Sequence, residues 1–159
     1  MKEKRQYRII NASISGETTA GGLARLPDLL NNDDIGTILI ELGANDGLRG
    51  FPPNLIKNNL LQIIKLSQAK NIQVLLMQIK IPPNYGPRYT TMFEGIYPEI
   101  LENKQDVKLM PFFMENIVTW GHKGNGQSNL MQADGLHPNK DAQPLIAEIV
   151  NEQLKALIK

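Results

Sequence analysis

Four short apolar runs, most of them followed by a longer stretch with apolar residues at helical spacing, constrain the fold of this chain more than any other feature. The runs are Tyr7–Ile10, Thr37–Leu42, Gln73–Ile79 and Val107–Met110. Three of them are apolar at consecutive positions near their centres, the pattern of strands covered by helices on both faces. The first is followed by Thr19–Asn31, with Leu23, Leu26, Leu29 and Leu30 one helical turn apart. The second leads to Pro53–Lys70, where Ile56, Leu60, Ile63 and Ile64 form one stripe behind a proline pair that suits a helix start. The third leads to Tyr89–Asn103, striped by Met92, Phe93, Ile96, Tyr97, Ile100 and Leu101, where Gly95 and Pro98 predict a kink. A last helix is predicted over Ala142–Ile158, with Ile146, Val150, Leu154 and Leu157 inward. Asp141 is its expected N-cap, leaving Pro144 in the first turn. This alternation predicts right-handed crossovers and an α/β three-layer sandwich around a parallel sheet.

The remaining composition mainly excludes. A chain of 159 residues that is 42% hydrophobic predicts a single domain with a real core. Lys and Arg number 17 against 16 Asp and Glu, a balance that excludes the basic footprint of a nucleic-acid binder. Without cysteine there is no disulfide, thiolate metal site or cysteine nucleophile, and with only His122 and His137 there is no three-histidine site. Neither a metal nor a cofactor is expected. No apolar run approaches the ~20 residues of a membrane span, so integral membrane association is not expected. Met1–Gln6 is charged with no apolar stretch behind it, so these residues read as no secretory signal. The compartment stays open: periplasmic or secreted if a longer N-terminus carries a signal peptide, cytoplasmic otherwise. Thr119–Gln132, with Gly121, Gly124, Asn125, Gly126 and Asn129, predicts a mobile surface loop.

Ligands of parallel α/β sheets bind beyond the carboxyl ends of the strands, and the polar clusters of this chain follow its apolar runs. They are Asn11–Thr19, Gly43–Gly50 and Pro82–Tyr89, with Asp134-Gly-Leu-His137 just before the final helix. A D-x-x-H pair can set a carboxylate against Nδ1 of an imidazole and leave Nε2 free as a base. The spacing alone equally fits a pair that caps a loop. His122 has no partner at useful spacing and reads as solvent-exposed; Trp120 reads as a loop anchor or as a contact at the groove mouth. Gly16-Glu-Thr-Thr-Ala-Gly-Gly precedes a helix as a phosphate cradle would, but Gly22 stands where that pattern needs lysine.

Asn11–Thr18 (NASISGET), Glu41–Gly50 (ELGANDGLRG), Leu76–Tyr89 (LMQIKIPPNYGPRY) and Asp134–Pro144 (DGLHPNKDAQP) resemble four successive blocks of the SGNH, or GDSL, hydrolases. The similarity is greatest to the branch of multifunctional acyl-CoA thioesterase I, lysophospholipase and arylesterase, and it runs from about Tyr7 to Ile158. The resemblance implies the SGNH fold and hydrolysis of small acyl esters or thioesters without a cofactor. It also implies roles: Gly16 N–H and the Asn45 amide as oxyanion donors, Asp134 orienting the base His137, and Gly43, Asp46, Leu48, Pro83 and Tyr85 about the acyl groove. Asp46 is expected to anchor its loop.

One block of the family is not found. No Gly-Asp-Ser occurs, and the four serines, Ser13, Ser15, Ser67 and Ser128, lie outside any G-x-S-x-G elbow. The expectation is therefore an N-terminally truncated SGNH domain without the family's first strand, first helix and nucleophile, Met1–Gln6 being the tail of that helix. The alternative is a non-catalytic module that binds lipid or another partner. In the family the absent strand is central, between those matching Tyr7–Ile10 and Thr37–Leu42, so its loss leaves two strand edges open or forces them to pair. Marginal stability, self-association through exposed edges and no esterase activity of this chain alone are expected.

Overall fold

Thr37–Ile40, Gln73–Met77 and Val107–Met110 form strands β1, β2 and β3, and the middle one is buried on both faces, as a run of consecutive apolar residues is inside a covered sheet. The pairing is parallel in the order β1-β2-β3, with Ile38 opposite Val74 and Val74 opposite Val107. Val74, Leu75 and Leu76 of the middle strand are fully buried. The computed structural model describes residues 7–31, 34–103, 106–120 and 128–158. Its helices are α1 (Thr19–Leu30), α2 (Ala44–Leu48), α3 (Pro53–Gln68), α4 (Pro87–Glu102) and α5 (Gln143–Leu157). None of them is long and apolar enough to cross a membrane.

Helix α3 carries the chain from β1 to β2 and α4 carries it from β2 to β3, two crossovers in one direction that put both helices on one face. They pack side by side, and α1 packs along α3. The other face bears Gln73, Leu75 and Lys108, and α5 lies there: Gln73 Nε2 and Lys108 Nζ donate to Leu157 O at 3.2 and 2.7 Å. The result is the expected three-layer α/β arrangement.

Several local expectations need correction. Helix α4 runs unbroken through Pro98. The carbonyl of Glu94, which a proline four residues on cannot serve, accepts Gln78 Nε2 at 3.1 Å, so the lost helical bond is replaced from β2's end. The cap before α5 is Asn139, not Asp141: its side chain accepts from the amides of Asp141 and Ala142, starting a 3-10 turn over Lys140–Ala142. Ile146, Val150, Leu154 and Leu157 do point inward, but only half-buried. Of Thr119–Gln132, residues 121–127 with His122 lie outside the described residues. The end of that stretch is not loose, since Leu130 and Met131 are buried with Phe112, Ile117 and Val118 in a second small core. Trp120 anchors here, donating from Nε1 to Gly135 O at 3.0 Å. The expected helix tail at Met1–Gln6 also lies outside the described residues.

Tyr7–Ile10 forms no strand. All four residues are exposed, Ile9 at 86%, because a parallel strand needs a neighbour and none of the described residues pairs with the free edge of β1. Leu39 of β1 faces the α5 side yet is 36% exposed, as α5 is fastened over β2 and β3 only. An edge that no described strand covers, in a chain that also exposes Ile9, Ile10 and Ile14, invites another strand. We therefore expect the chain to self-associate at concentrations on the order of tens of micromolar, and Leu39→Lys to shift it toward monomer. Sedimentation velocity showing monomer for the unaltered chain throughout that range would overturn this.

Candidate active site

Gly16 lies in a tight turn closed by Glu17 N donating to Ile14 O at 3.2 Å, and its φ of +75° is a left-handed conformation that favours glycine. Arg25 on α1 holds this turn. Its Nε meets Glu17 Oε2 at 2.6 Å and its guanidinium also donates to Ala12 O at 2.7 Å. Thr18 caps α1 by accepting from Gly21 N at 3.2 Å. The backbone N–H of Gly16 donates to no protein acceptor among the described residues and lies on an exposed turn.

The segment after β1 is ordered as helix α2, where a loop was expected over Gly43–Gly50. Gly43 starts it with φ +117°, and a Cβ there would collide with the Tyr97 hydroxyl. Asn45, half-buried, donates from Nδ2 to Glu17 O at 2.9 Å, so the two segments expected to supply oxyanion donors are tied together. An amide carries two N–H groups, which leaves the second free for another acceptor. Asp46 is buried, 1% exposed, and its carboxylate accepts from Thr19 N at 2.9 Å and from the Thr19 hydroxyl at 2.6 Å. Asn59 of α3 completes the group, donating to Thr19 Oγ1 at 3.0 Å. Asp46 thus anchors α2 to the start of α1, as expected. Sequence reasoning passed over Thr19 and Asn59; the available signal was Asn59 itself, a polar residue inside the apolar stripe of Ile56, Leu60 and Ile63.

Asp134 and His137 meet. Nδ1 of His137 lies 2.6 Å from Asp134 Oδ2, while Asp134 Oδ1 accepts from the amides of Leu136 and His137 at 2.9 and 3.0 Å. The carboxylate thereby caps its own turn, so both readings of this spacing hold in one geometry. These hydrogen bonds, first that of the imidazole and then those of the two amides, lower the Asp134 pKa from 3.8 to about 2. Its contribution to folding is present above the unfolded-state value and is lost as the pH falls through about 2. The expected carboxyl titration by NMR has its midpoint near 2 and moves upward in His137→Ala; a midpoint at or above 3.8 would contradict the pairing. The imidazole side chain is 66% exposed, leaving Nε2 reachable.

Asn45 and Asp46 therefore tie the segment that Gly43 begins to Glu17 and Thr19, just after Gly16, and Asp134 with His137 form a second group. No hydrogen bond joins the two among the described residues. Tyr85 borders a shallow groove with Pro53, Pro87, Tyr89 and Met92, and its hydroxyl donates to Leu48 O at 2.8 Å. Leu48 is half-buried and Pro83 exposed, and both stand outside the groove lining. Ser67 is buried in α3, donating to Ile63 O at 2.9 Å, and Ser13 and Ser15 are exposed near the Gly16 turn.

The GDSL-like lipase/acylhydrolase family model matches residues 2–143. An arylesterase of Vibrio mimicus is 52% identical over 146 residues, spanning 92% of this chain and 69% of the relative. The thioesterase 1/protease 1/lysophospholipase L1 of Escherichia coli K12 is 48% identical over 150 residues, 94% of this chain and 68% of the relative. Among solved structures, the psychrotrophic esterase EstA of Pseudoalteromonas sp., inhibited by monoethylphosphonate, superposes with a TM-score of 0.85 at 50% identity, covering 92% of this chain and 76% of that one.

Proposed function

The chain belongs to the GDSL-like lipase/acylhydrolase family, and from that premise we propose that it carries the base and the oxyanion donors of a serine esterase and thioesterase of acyl substrates. The observation that carries this reading is the Asp134–His137 contact at 2.6 Å in a chain of that family. The carboxylate fixes the imidazole as the Nδ1–H tautomer. Nε2 then accepts the proton of a serine hydroxyl as its oxygen attacks the acyl carbonyl, and returns it to the leaving alcohol or thiol. The same cycle, with water as nucleophile, frees the acyl-enzyme. Charge on the carbonyl oxygen appears only in the tetrahedral states, where Gly16 N–H and the free N–H of Asn45 donate to it.

Ser13, Ser15 and Ser67 do not fit the nucleophile, and Ser128 stands in no Gly-Asp-Ser or G-x-S-x-G sequence. Ser67 is buried in a helix and its hydroxyl is committed to Ile63 O, while the Ser13 and Ser15 segment supplies the Gly16 turn. No Gly-Asp-Ser block occurs in these 159 residues, so the reading is tested by supplying one. Joining that block, taken from the Vibrio mimicus relative, to this chain is expected to produce hydrolysis of p-nitrophenyl and acyl-thioester substrates that a phosphonate blocks. The 159-residue chain by itself is expected to show background rates. A folded, joined chain without turnover that still retains fatty acid would replace this reading with a non-catalytic lipid-binding module. Hydrolysis by the chain alone, lost in Ser13→Ala or Ser15→Ala, would return the nucleophile to these residues.

A further inference from the structure

Helix α4 and the turn before it carry Tyr85, Tyr89, Phe93 and Tyr97 at every fourth residue, one ring per helical turn along one face. Successive ring centroids are 6.3, 6.4 and 6.0 Å apart, so the four form a continuous aromatic column. The three phenols do not donate at random. Tyr97 reaches Leu42 O at 2.9 Å, Tyr85 reaches Leu48 O at 2.8 Å and Tyr89 reaches Phe51 O at 2.6 Å. These carbonyls bracket the segment that holds Asn45 and Asp46. Where the column has no hydroxyl, at Phe93, the segment presents Gly47, whose missing Cβ would lie 2.7 Å from the Phe93 ring. At the Tyr97 hydroxyl it presents Gly43. Hydroxyls thus meet carbonyls, and a bare ring meets a glycine.

We propose that Tyr85, Tyr89 and Tyr97 are positioning residues that fix the Leu42–Phe51 segment so that the Asn45 amide is held toward the oxyanion site. This rests on the reading of Asn45 as an oxyanion donor. Filling stray carbonyls alone would need no shared face, whereas three donors on one column fix both ends of a ten-residue segment together. The Tyr97 phenol is held well above the ordinary value by burial and then by Asp46, and Tyr89 is raised by burial, Asp46 and Tyr85, so both stay protonated donors at any working pH.

The test needs no turnover. In Tyr89→Phe the ring remains and only the hydroxyl is lost. Amide hydrogen exchange across residues 44–51 is expected to accelerate about tenfold while β2 amides keep their rates. The side-chain NH₂ resonances of Asn45 are expected to move in the ¹⁵N–¹H spectrum, and those of Asn139, remote and bonded to Asn129 O, to stay. Tyr85→Phe, on the outermost ring, is the second variant should Tyr89→Phe unfold. Unchanged loop exchange and a fixed Asn45 signal in a folded variant would overturn the proposal, as would a uniform rise over the whole chain. Failure here leaves the hydrolase reading intact, and an inactive joined chain leaves this result intact.

Discussion

His137→Ala, made in the chain joined to the family's Gly-Asp-Ser block, is expected to lower kcat on a p-nitrophenyl ester by roughly 10⁴- to 10⁶-fold with the cooperative fold retained. The size follows from what the imidazole does. A serine hydroxyl is a weak nucleophile at neutral pH, and without a base at Nε2 its proton has nowhere to go in the transition state. The retained fold follows from place: the side chain is 66% exposed and its one hydrogen bond is to a carboxylate that is also open to solvent, so only a solvent-screened pair is lost. Asp134→Asn is expected to cost less, on the order of 10⁴-fold, because an amide at that position still caps the turn through the amides of Leu136 and His137 but no longer fixes the tautomer. Equal rates for the unaltered joined chain and His137→Ala would remove His137 from the mechanism.

The fold was legible where burial is two-sided and short in range. Ile38–Ile40, Val74–Met77 and the stripe of Ile56, Leu60, Ile63 and Ile64 announce themselves because each apolar position is repeated by its neighbours, and all became strand or helix as expected. Tyr7–Ile10 carries similar local propensity, yet a strand is a pairing rather than a property of a segment, and the sheet of the described residues consists of β1, β2 and β3. Pro98 depends on distant residues in the same way. Its cost is a lone carbonyl, and whether that cost bends a helix depends on Gln78, twenty residues earlier and on another element. The site divides likewise. Asp134 and His137 are three apart, so their contact is written in the spacing; the Asp46–Thr19–Asn59 group and the bonds from the tyrosine hydroxyls to the Leu42–Phe51 segment are long-range, and only the fold brings them together.

Asn45→Ala in the joined chain is expected to reduce kcat about 10²- to 10³-fold with KM nearly constant. The argument turns on when the second N–H finds its acceptor. A ground-state carbonyl is neutral and short of the position the oxyanion takes, so the amide contributes little to binding and much to the charged tetrahedral state. Preorganisation makes the figure large: Nδ2 is already held to Glu17 O at 2.9 Å, and α2 is fixed by Asp46, so nothing has to move as charge develops. A raised KM at constant kcat would make Asn45 a ground-state binding residue instead. Asp46→Ala separates chemistry from scaffold. It leaves the amide and hydroxyl of Thr19 buried without an acceptor and is expected to destabilise the fold by about 2–4 kcal/mol as well as slow the reaction. Asn45→Ala removes one half-exposed hydrogen bond and should cost about 1 kcal/mol. If thermal denaturation instead ranked Asn45→Ala with Asp46→Ala, its loss of activity would have to be assigned to a displaced helix α2 rather than to a missing oxyanion donor.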